Sequence, residues 1–428
     1  MTPRPHDAVM SNGHGIERMQ DYDLIIIGGG IGGSALAQVM ARSGRSVLLL
    51  EQSEVYQDRV RGEWIAPWGV DEVKRLGLYE LLIGAGGHHL TQHVTYDGAV
   101  DPAEAEAQPL PLGMFREGVP GPLCIGHPKH CQTLFDAAQA AGVEALRGVV
   151  VSKVEAGATP CVTFEHDGKV REARARLLIG ADGRTSQVRE SAGITLHQDT
   201  PHHWFAGLLV EGCEGWREDM QAIGTEGDFG FLAFPQGGGA VRVYGGYALD
   251  QATRFKGPDG PRRFLDAFAL NCSPANRHLV AGRPAGPLFS YVNADSWTDE
   301  PFAAGVVLIG DAAGWNDPII GLGLSITYRD ARIVSDILKA SEDWSPAAFA
   351  PYAEERAERM RRLRFTASLV SALDMEFGEA ADARRRSLHE RALLDPTLRM
   401  HTFAVMAGPE SAPPETFTAA NRVRVLEG

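Results

Sequence analysis

The chain has 428 residues, with 41 lysines and arginines against 55 acidic residues and a formal net charge of −14. This sign opposes nucleic acid and anionic membranes as main partners and favours small molecules. With 44% hydrophobic and 22% charged residues the composition is that of an ordinary globular protein. A chain of this length exceeds one ordinary hydrophobic core, so we expect two domains or one elaborated domain.

Residues 1–19 mix Pro, His, Asp, Asn and Gly without an apolar core, which predicts a disordered tail and no signal peptide. The five cysteines are scattered and have no histidine at ligand spacing, so we predict neither disulfides nor a metal site. The pair His88 and His89 is assigned a structural role on the same grounds. These features together predict a cytoplasmic protein.

The run "IIIGGGIGGSALAQVMA" from Ile25 to Ala41 admits two interpretations, a membrane anchor or a strand and a helix joined at a phosphate. Five glycines make a poor spanning helix, so we predict no integral membrane segment. Asp23 to Ile27 has the pattern of a buried parallel strand, and helical spacing follows the glycines. Gly28, Gly30 and Gly33 fit the G-x-G-x-x-G fingerprint of dinucleotide binding.

The next apolar stretch, "SVLLLEQ", predicts a second buried strand that ends at Glu51. An acidic residue at this distance from the glycines is placed to accept hydrogen bonds from a ribose hydroxyl. This arrangement favours FAD or NAD over a nucleotide with a 2′-phosphate.

Two later segments repeat a strand followed by a turn. "ARLLIGADG" predicts a strand that ends at Asp182 and Gly183, although Asp-Gly is also a common turn pair. "GVVLIGDAAGWNDPIIGLGL" predicts a strand that ends at Asp311, and after Pro318 a helix opened by Gly321 and Gly323. Backbone amides at that helix start suit phosphate or carbonyl oxygens.

Taken together, the three segments resemble the group A flavoprotein monooxygenases, the para-hydroxybenzoate hydroxylase-like family, within the wider group that includes flavin-dependent halogenases and geranylgeranyl reductases. The resemblance covers most of residues 20–345 and implies bound FAD. The family's arginine after the second strand falls on Arg61, and a second flavin-contacting arginine aligns with His127. The cofactor-binding residues that we predict are Gly28, Gly30, Ile31, Gly32, Gly33, Glu51, Gln52, Arg61, His127, Asp182, Gly183, Asp311, Gly321, Gly323 and Leu324.

The resemblance implies an enzyme that hydroxylates or epoxidises an aromatic or polycyclic small molecule with O2 and NADPH or NADH, by way of a flavin C4a-hydroperoxide. Pro318 would then lie near the reactive edge of the flavin, although a proline at a helix start explains it equally well. The sequence "GDAAG" resembles the reductase and halogenase branches more closely, and a flavin-dependent reductase of carbon-carbon double bonds is the first alternative. The second alternative is a flavin-dependent halogenase, and the third is an FAD-binding redox sensor without enzymatic activity.

The predicted fold is α/β, a Rossmann-like FAD-binding domain with an inserted antiparallel-sheet substrate domain and a C-terminal helical segment. His202, His203, Tyr244 and Tyr247 lie in the predicted substrate sheet and are candidates for substrate contact. The charged run "YAEERAERMRRLR" predicts a solvated helix face. The predicted segments are 20–95, 120–197 and 285–345 for FAD, 96–119 and 198–284 for substrate, and 346–428 for the helical region.

Overall fold

The computed structural model describes residues 16–60, 62–292 and 294–428. Two large sheets organise this part of the chain. Predicted residue Arg61 and most of the predicted tail, residues 1–15, lie outside the described residues. The strand Glu17–Ile27 begins inside the remaining part of that predicted tail. It is longer than the predicted strand because its first residues pair with Arg171 and Glu172.

The first sheet has a core of parallel strands, as the apolar runs around Ile25 and Leu49 predict. Both runs are buried on both faces, which is typical of parallel strands between helical layers. The order across the sheet is Phe302–Ala303, Val306–Leu308, Lys169–Gly180, Glu17–Ile27, Val47–Leu50 and Glu144–Leu146. Cys161–His166 pairs with Lys169–Gly180 in antiparallel fashion, and Val150–Glu155 pairs in the same way with Cys161–His166.

The second sheet is antiparallel apart from one parallel pair, Gln92–Asp97 beside Met220–Glu226. Its order is Arg283–Pro284, Trp204–Glu211, Ala240–Tyr247, Phe229–Gly237, Met220–Glu226, Gln92–Asp97 and Leu110–Pro111, and Phe289–Val292 also pairs with Trp204–Glu211. The predicted boundary between residues 95 and 96 thus falls inside a strand of this sheet. The strand Phe289–Val292 also lies here, beyond the predicted boundary at residue 285.

Two small sheets and the helices complete the described structure. The small sheets join Trp64–Ile65, Leu123–Cys124 and His88–His89, and His197–Gln198 with Ser296–Trp297. The α-helices are Ile31–Arg42, Pro67–Arg75, Tyr79–Gly84, Pro102–Ala107, His127–Ala140, Gln187–Ser191, Gly260–Asp266, Arg277–Ala281, Gly323–Ala340, Ala350–Asp374, Glu379–Leu394, Met400–Ala407 and Ala419–Leu426. In the described part of the chain, no helix combines the length and apolar character needed to cross a bilayer.

The helix Ala350–Asp374 corrects the prediction of a solvated face. Arg356 and Arg359 on this helix are buried, and both pair with Asp330 of the helix Gly323–Ala340. The charged run predicted exposure because its i, i+3 and i+4 pairs explain the charges locally, whereas these two arginines have a buried partner on another helix. This helix is therefore part of the core beside the first sheet.

Candidate functional site

A cavity of about 1130 Å³ lies between the two sheets. Its first end is lined by the turns that follow the strands of the first sheet, and its second end by one face of the second sheet. Thirteen of the fifteen predicted cofactor residues line it, together with Pro318: Gly28, Gly30, Ile31, Gly32, Glu51, Gln52, His127, Asp182, Gly183, Asp311, Gly321, Gly323 and Leu324. Arg61 lies outside the described residues, and Gly33 does not line the cavity.

In the glycine turn at the first end of the cavity, Gly28, Gly30 and Gly33 are each glycine for a different reason. Gly28 has φ +104°, and a Cβ there would lie 2.2 Å from the carbonyl oxygen of Ala181. A Cβ on Gly33 would lie 1.9 Å from the carbonyl oxygen of Gly28, so Gly33 serves the packing of helix against strand. A Cβ on Gly30 would meet no protein atom within 4 Å, because this residue faces the cavity.

Helix Ile31–Arg42 presents its N-terminus to the cavity. Its N-cap residue, Gly30, gives no side-chain cap, and the first turn has no acidic residue. The first amide groups of a helix lack carbonyl partners within the helix and carry partial positive charge. A turn without side chains and an uncapped helix start together fit a pyrophosphate group.

Glu51 closes the glycine turn from the end of the second strand. One carboxylate oxygen accepts a hydrogen bond from the Gly29 amide at 2.7 Å, and the other accepts from the Ser53 amide at 2.7 Å. The hydroxyl of Tyr56 donates to the Gly29 carbonyl oxygen. Each carboxylate oxygen can still accept a second hydrogen bond, so Glu51 fits the predicted contact with a ribose hydroxyl.

The Asp-Gly turn follows the strand Lys169–Gly180, and its aspartate also contacts the short helix that comes next. The Asp182 side chain accepts hydrogen bonds from the Ser186 hydroxyl at 2.6 Å and from the Val188 amide at 3.2 Å. Burial raises the pKa of this carboxyl above its ordinary value. Asp182 thus holds the start of the helix Gln187–Ser191 and also lines the cavity, so its contact with the cofactor stays a prediction.

Asp311 follows the strand Val306–Leu308 and lies at the cavity edge, as the sequence predicts. Its carboxylate is 3.3 Å from Nε of Arg184, whose guanidinium lies over the ring of Trp315 at 5.0 Å from its centroid. Gly321 is not part of the following helix, contrary to the prediction. It has φ +67° and ends a short turn over Pro318–Ile320, and the helix begins at Gly323.

The turn that presents Pro318 to the cavity is fixed by two buried carboxyl groups. Asp295 accepts from the Asn316 side chain at 3.0 Å and from the Asp317 amide at 2.7 Å. Burial raises the pKa of Asp295 to about 7 and that of Asp317 to about 6. His203, a predicted substrate-contact candidate, lies behind this turn with Nε2 3.5 Å from Asp317, and burial lowers its pKa to about 4. Burial thus favours the uncharged forms of both partners.

Of the other three substrate-contact candidates, only Tyr244 lines the cavity. Its ring stacks on Phe205 at 5.6 Å and contacts the edge of Phe234 at 6.2 Å. Tyr247 lies three residues further along the strand, so it faces the opposite side of the sheet. It packs there against Phe255, and His202 is exposed outside the cavity.

The second end of the cavity has an apolar, aromatic wall. Four of its side chains pack in one cluster with residues of the helix Ala350–Asp374: Phe205, Leu232, Phe234 and Tyr244. No residue of this wall is charged within the described part of the second sheet. The wall residues are Phe205, Ala206, Gly207, Leu232, Phe234, Tyr244 and Tyr291.

A buried ionic group at the junction of the two ends was missed by the sequence analysis. Arg242, 1% exposed, donates to both carboxylate oxygens of Glu63 and, at 2.7 Å, to Asp58. Burial works against the charge of Arg242, but Glu63 and Asp58 raise its pKa above the usual value. Burial raises the pKa of Glu63, and Arg242 opposes this rise. The available signal was a charged residue between the valines of "AVRVYGGY".

The sequence matches the FAD binding domain family, FAD_binding_3, over residues 21–366. The chain is 26% identical to squalene monooxygenase of Mus musculus over 86% of its own length and 64% of that protein's length. It is 28% identical to the ubiquinone hydroxylase UbiL of Rhodospirillum rubrum, over 91% of each chain. It thus spans less than two thirds of the length of the mouse protein.

The crystal structure of p-nitrophenol 4-monooxygenase PnpA from Pseudomonas putida DLL-E4 has a similar fold, with a TM-score of 0.77 at 18% identity. The similarity covers 92% of this chain and 99% of that chain. The chain therefore belongs to the FAD binding domain family. The predicted family and the α/β fold class are confirmed.

Proposed function

We propose that the protein is an FAD-dependent monooxygenase that uses NADPH or NADH and inserts one atom of O2 into an uncharged aromatic or polycyclic molecule. One observation carries this proposal: a single cavity joins a glycine turn and helix start suited to a dinucleotide with an apolar aromatic wall. The cavity therefore brings a cofactor and a substrate into one space. When bound, FAD supplies the electron transfer from the nicotinamide and the activation of oxygen.

The residues of the first end bind and orient the cofactor. The Gly28–Gly33 turn and the N-terminus of helix Ile31–Arg42 would hold the pyrophosphate, and Glu51 the adenosine ribose. Asp311 would hold a hydroxyl of the chain that leads to the flavin. The start of helix Gly323–Ala340, which has neither side-chain cap nor acidic first turn, would place amides near the flavin.

The second end binds the substrate and excludes water. Phe205, Leu232 and Phe234 provide apolar contact, and Tyr244 offers a hydroxyl that can hydrogen-bond to an oxygen on the substrate. A substrate carboxylate would find no charge partner on this wall, because the arginines that line the cavity, Arg59 and Arg184, lie outside the second sheet. These contacts favour an uncharged ring system over an aromatic acid.

The test uses the purified FAD-loaded protein, NADPH or NADH, and isotope-labelled O2. The probes are a prenylated phenol, naphthol and hydroxynaphthoate, of which only the last carries a carboxylate. We expect one labelled oxygen atom in the product of an uncharged probe and none in hydroxynaphthoate. Addition of two hydrogen atoms without label would instead show the reductase alternative, and a chlorinated product the halogenase. Flavin reduction without any product from these probes would count against oxygen insertion.

A further inference from the structure

Three side chains at the junction of the cavity contact the second sheet: Asp58, Val60 and Glu63. All three precede the strand Trp64–Ile65 and follow the strand Val47–Leu50 of the first sheet. They therefore connect the part of the chain that follows Glu51 with the wall proposed to bind substrate. We call Asp58, Val60 and Glu63 the junction residues.

Val60 is held in an unusual backbone conformation. Its φ is +53°, which a β-branched residue adopts only when its surroundings determine it. The Asp58 side chain accepts a hydrogen bond from the Val60 amide at 2.8 Å. The Val60 side chain occupies the space left by Gly207 of the second sheet, where an added Cβ would lie 2.3 Å from Val60 Cγ1. The second sheet thus provides the site into which Val60 fits.

Arg242 ties the other two junction residues to the same sheet. Its Nη2 donates to Asp58 at 2.7 Å and to Glu63 at 2.9 Å, so one guanidinium fixes residues on both sides of Val60. Glu63 also accepts a hydrogen bond from the backbone amide of His127 at 3.3 Å. The planar fork of arginine makes these contacts at once, which a lysine ammonium could not reproduce.

Arg242 lies on the same face of its strand as Tyr244, two residues further on. Tyr244 and Glu63 both line the cavity, and Arg242 contacts Glu63 directly. The side chain of Arg242 therefore links the substrate wall with the residues that border the proposed cofactor site.

We propose that Arg242 is a positioning residue. By its contacts with Asp58 and Glu63 it holds the junction residues, including Val60, in place beside the flavin of the proposed cofactor site. The inference rests on the cofactor site of the proposed function and is independent of the reaction. Loss of the positioning contact would change the surroundings of the bound flavin while the sheets remain folded.

The experiment compares Arg242→Lys, Val60→Ala and the unchanged protein, each purified with FAD. The matched control is Arg385→Lys, since the Arg385 side chain is 8% exposed and its Nε lies 2.9 Å from Asp97, away from the cavity lining. The readouts are the visible absorption bands of bound FAD, the quenching of flavin fluorescence by acrylamide, the dissociation constant of FAD, and the melting temperature. None of them requires turnover.

We expect Arg242→Lys and Val60→Ala to shift the absorption bands, increase quenching and raise the FAD dissociation constant by about 10-fold, equivalent to about 1.4 kcal/mol. Arg385→Lys should lower the melting temperature without changing the spectrum. Variants at Arg242 and Val60 that only lose thermal stability, like the control, would overturn the proposal. If Arg242→Lys does not fold, Asp58→Asn takes its place, because Asp58 pairs with Arg242 and does not line the cavity. Spectral changes without any labelled product would refute the proposed reaction and leave the positioning role intact.

Discussion

Arg356 and Asp330 form a buried ion pair, with Arg356 Nε 3.1 Å from Asp330 Oδ2. The same carboxylate oxygen accepts a hydrogen bond from the Gly310 amide at 2.9 Å. Arg356 also donates to the carbonyl oxygens of Ala313 and Gly314, each at 2.9 Å. The turn that contains Asp311 is therefore held by two helices. Arg356 of the helix Ala350–Asp374 contacts it from one side, and Asp330 of the helix Gly323–Ala340 contacts it from the other.

Replacement of Arg356 by Met should strongly destabilise the protein. The variant leaves Asp330 with Arg359 as its remaining cation and removes the donors to Ala313 and Gly314. Breaking a buried ion pair typically costs about 3 to 5 kcal/mol of unfolding free energy. Chemical denaturation measures this loss, and the FAD content of the purified protein should fall with it.

The matched control is Arg361→Met on the same helix. Arg361 pairs with Glu358 at 2.7 Å, and both side chains are about half exposed. An exposed pair contributes at most about 1 kcal/mol. Equal losses in the two variants would show that the burial of Arg356 does not matter.

Gly30 and Gly33 should respond differently to the same substitution. Gly33→Ala places a Cβ 1.9 Å from the Gly28 carbonyl oxygen, so the backbone must shift, and we expect a loss of about 1 to 3 kcal/mol in unfolding free energy. Gly30→Ala meets no protein atom within 4 Å, and its φ of −71° suits alanine. We expect it to keep its stability without FAD and to bind FAD more weakly, because its methyl group projects into the proposed pyrophosphate site.

Denaturation of the FAD-free protein and fluorescence titration with FAD separate these two effects. Normal FAD affinity in Gly30→Ala would exclude this turn from the cofactor site.

The hydroxyl of Tyr244 should contribute to substrate binding. It lines the cavity and makes no hydrogen bond within the part of the chain that the structure describes, and burial raises its pKa so that it remains a donor. Tyr244→Phe should raise KM about 5-fold for an uncharged phenolic substrate, equivalent to about 1 kcal/mol for one hydrogen bond. Tyr247→Phe is the control because its ring faces the other side of the sheet. A similar rise in KM for Tyr247→Phe would contradict this assignment.

Asp295 should make the stability of the protein depend on pH. Burial raises its pKa from 3.8 to about 7, so the folded protein binds this proton more tightly than the unfolded chain does. The contribution of Asp295 to stability is present below pH 3.8, is lost as the pH rises toward about 7, and is constant above that value. Between about pH 5 and pH 8 this loss amounts to about 2 to 3 kcal/mol.

Asp295→Asn removes the titration and keeps an oxygen that can accept from Asn316 and Asp317. We therefore expect a flatter curve of unfolding free energy against pH in this variant, measured by urea denaturation at several pH values. The exposed Asp299 provides the control as Asp299→Asn. A wild-type slope retained in Asp295→Asn would assign the pH dependence to other groups.

The sequence predicted the first strand, the glycine turn, the first helix and Glu51 because their signals are local. A buried strand, a positive φ and a helix start each depend on a few neighbouring residues, and the positions of Gly28 and Glu51 follow from them. The predicted membership in an FAD-binding family depended on the same segments.

The residues that the sequence analysis missed act across the chain. Glu63 and Arg242 are 179 positions apart and meet only because the second sheet packs on the first part of the chain. Arg356 was placed on a solvated face because its local charge pattern has a sufficient explanation within the helix. The hydrogen bonds from the Ser186 hydroxyl and the Val188 amide to Asp182 were not predicted, and the contact of Asp182 with the cofactor stays a prediction. Periodicity does not contain this tertiary information.

The hydrogen bonds from Arg356 to the Ala313 and Gly314 carbonyl oxygens have a thermodynamic consequence. A ligand that binds the ordered form of this turn also favours the docked form of the helix Ala350–Asp374, because the two share these contacts. By linkage, the docked helix raises the affinity for that ligand by the same factor. Undocking of this helix and release of the cofactor proposed to bind at Asp311 would therefore be coupled, and saturation with FAD should protect the helix Ala350–Asp374 from proteases.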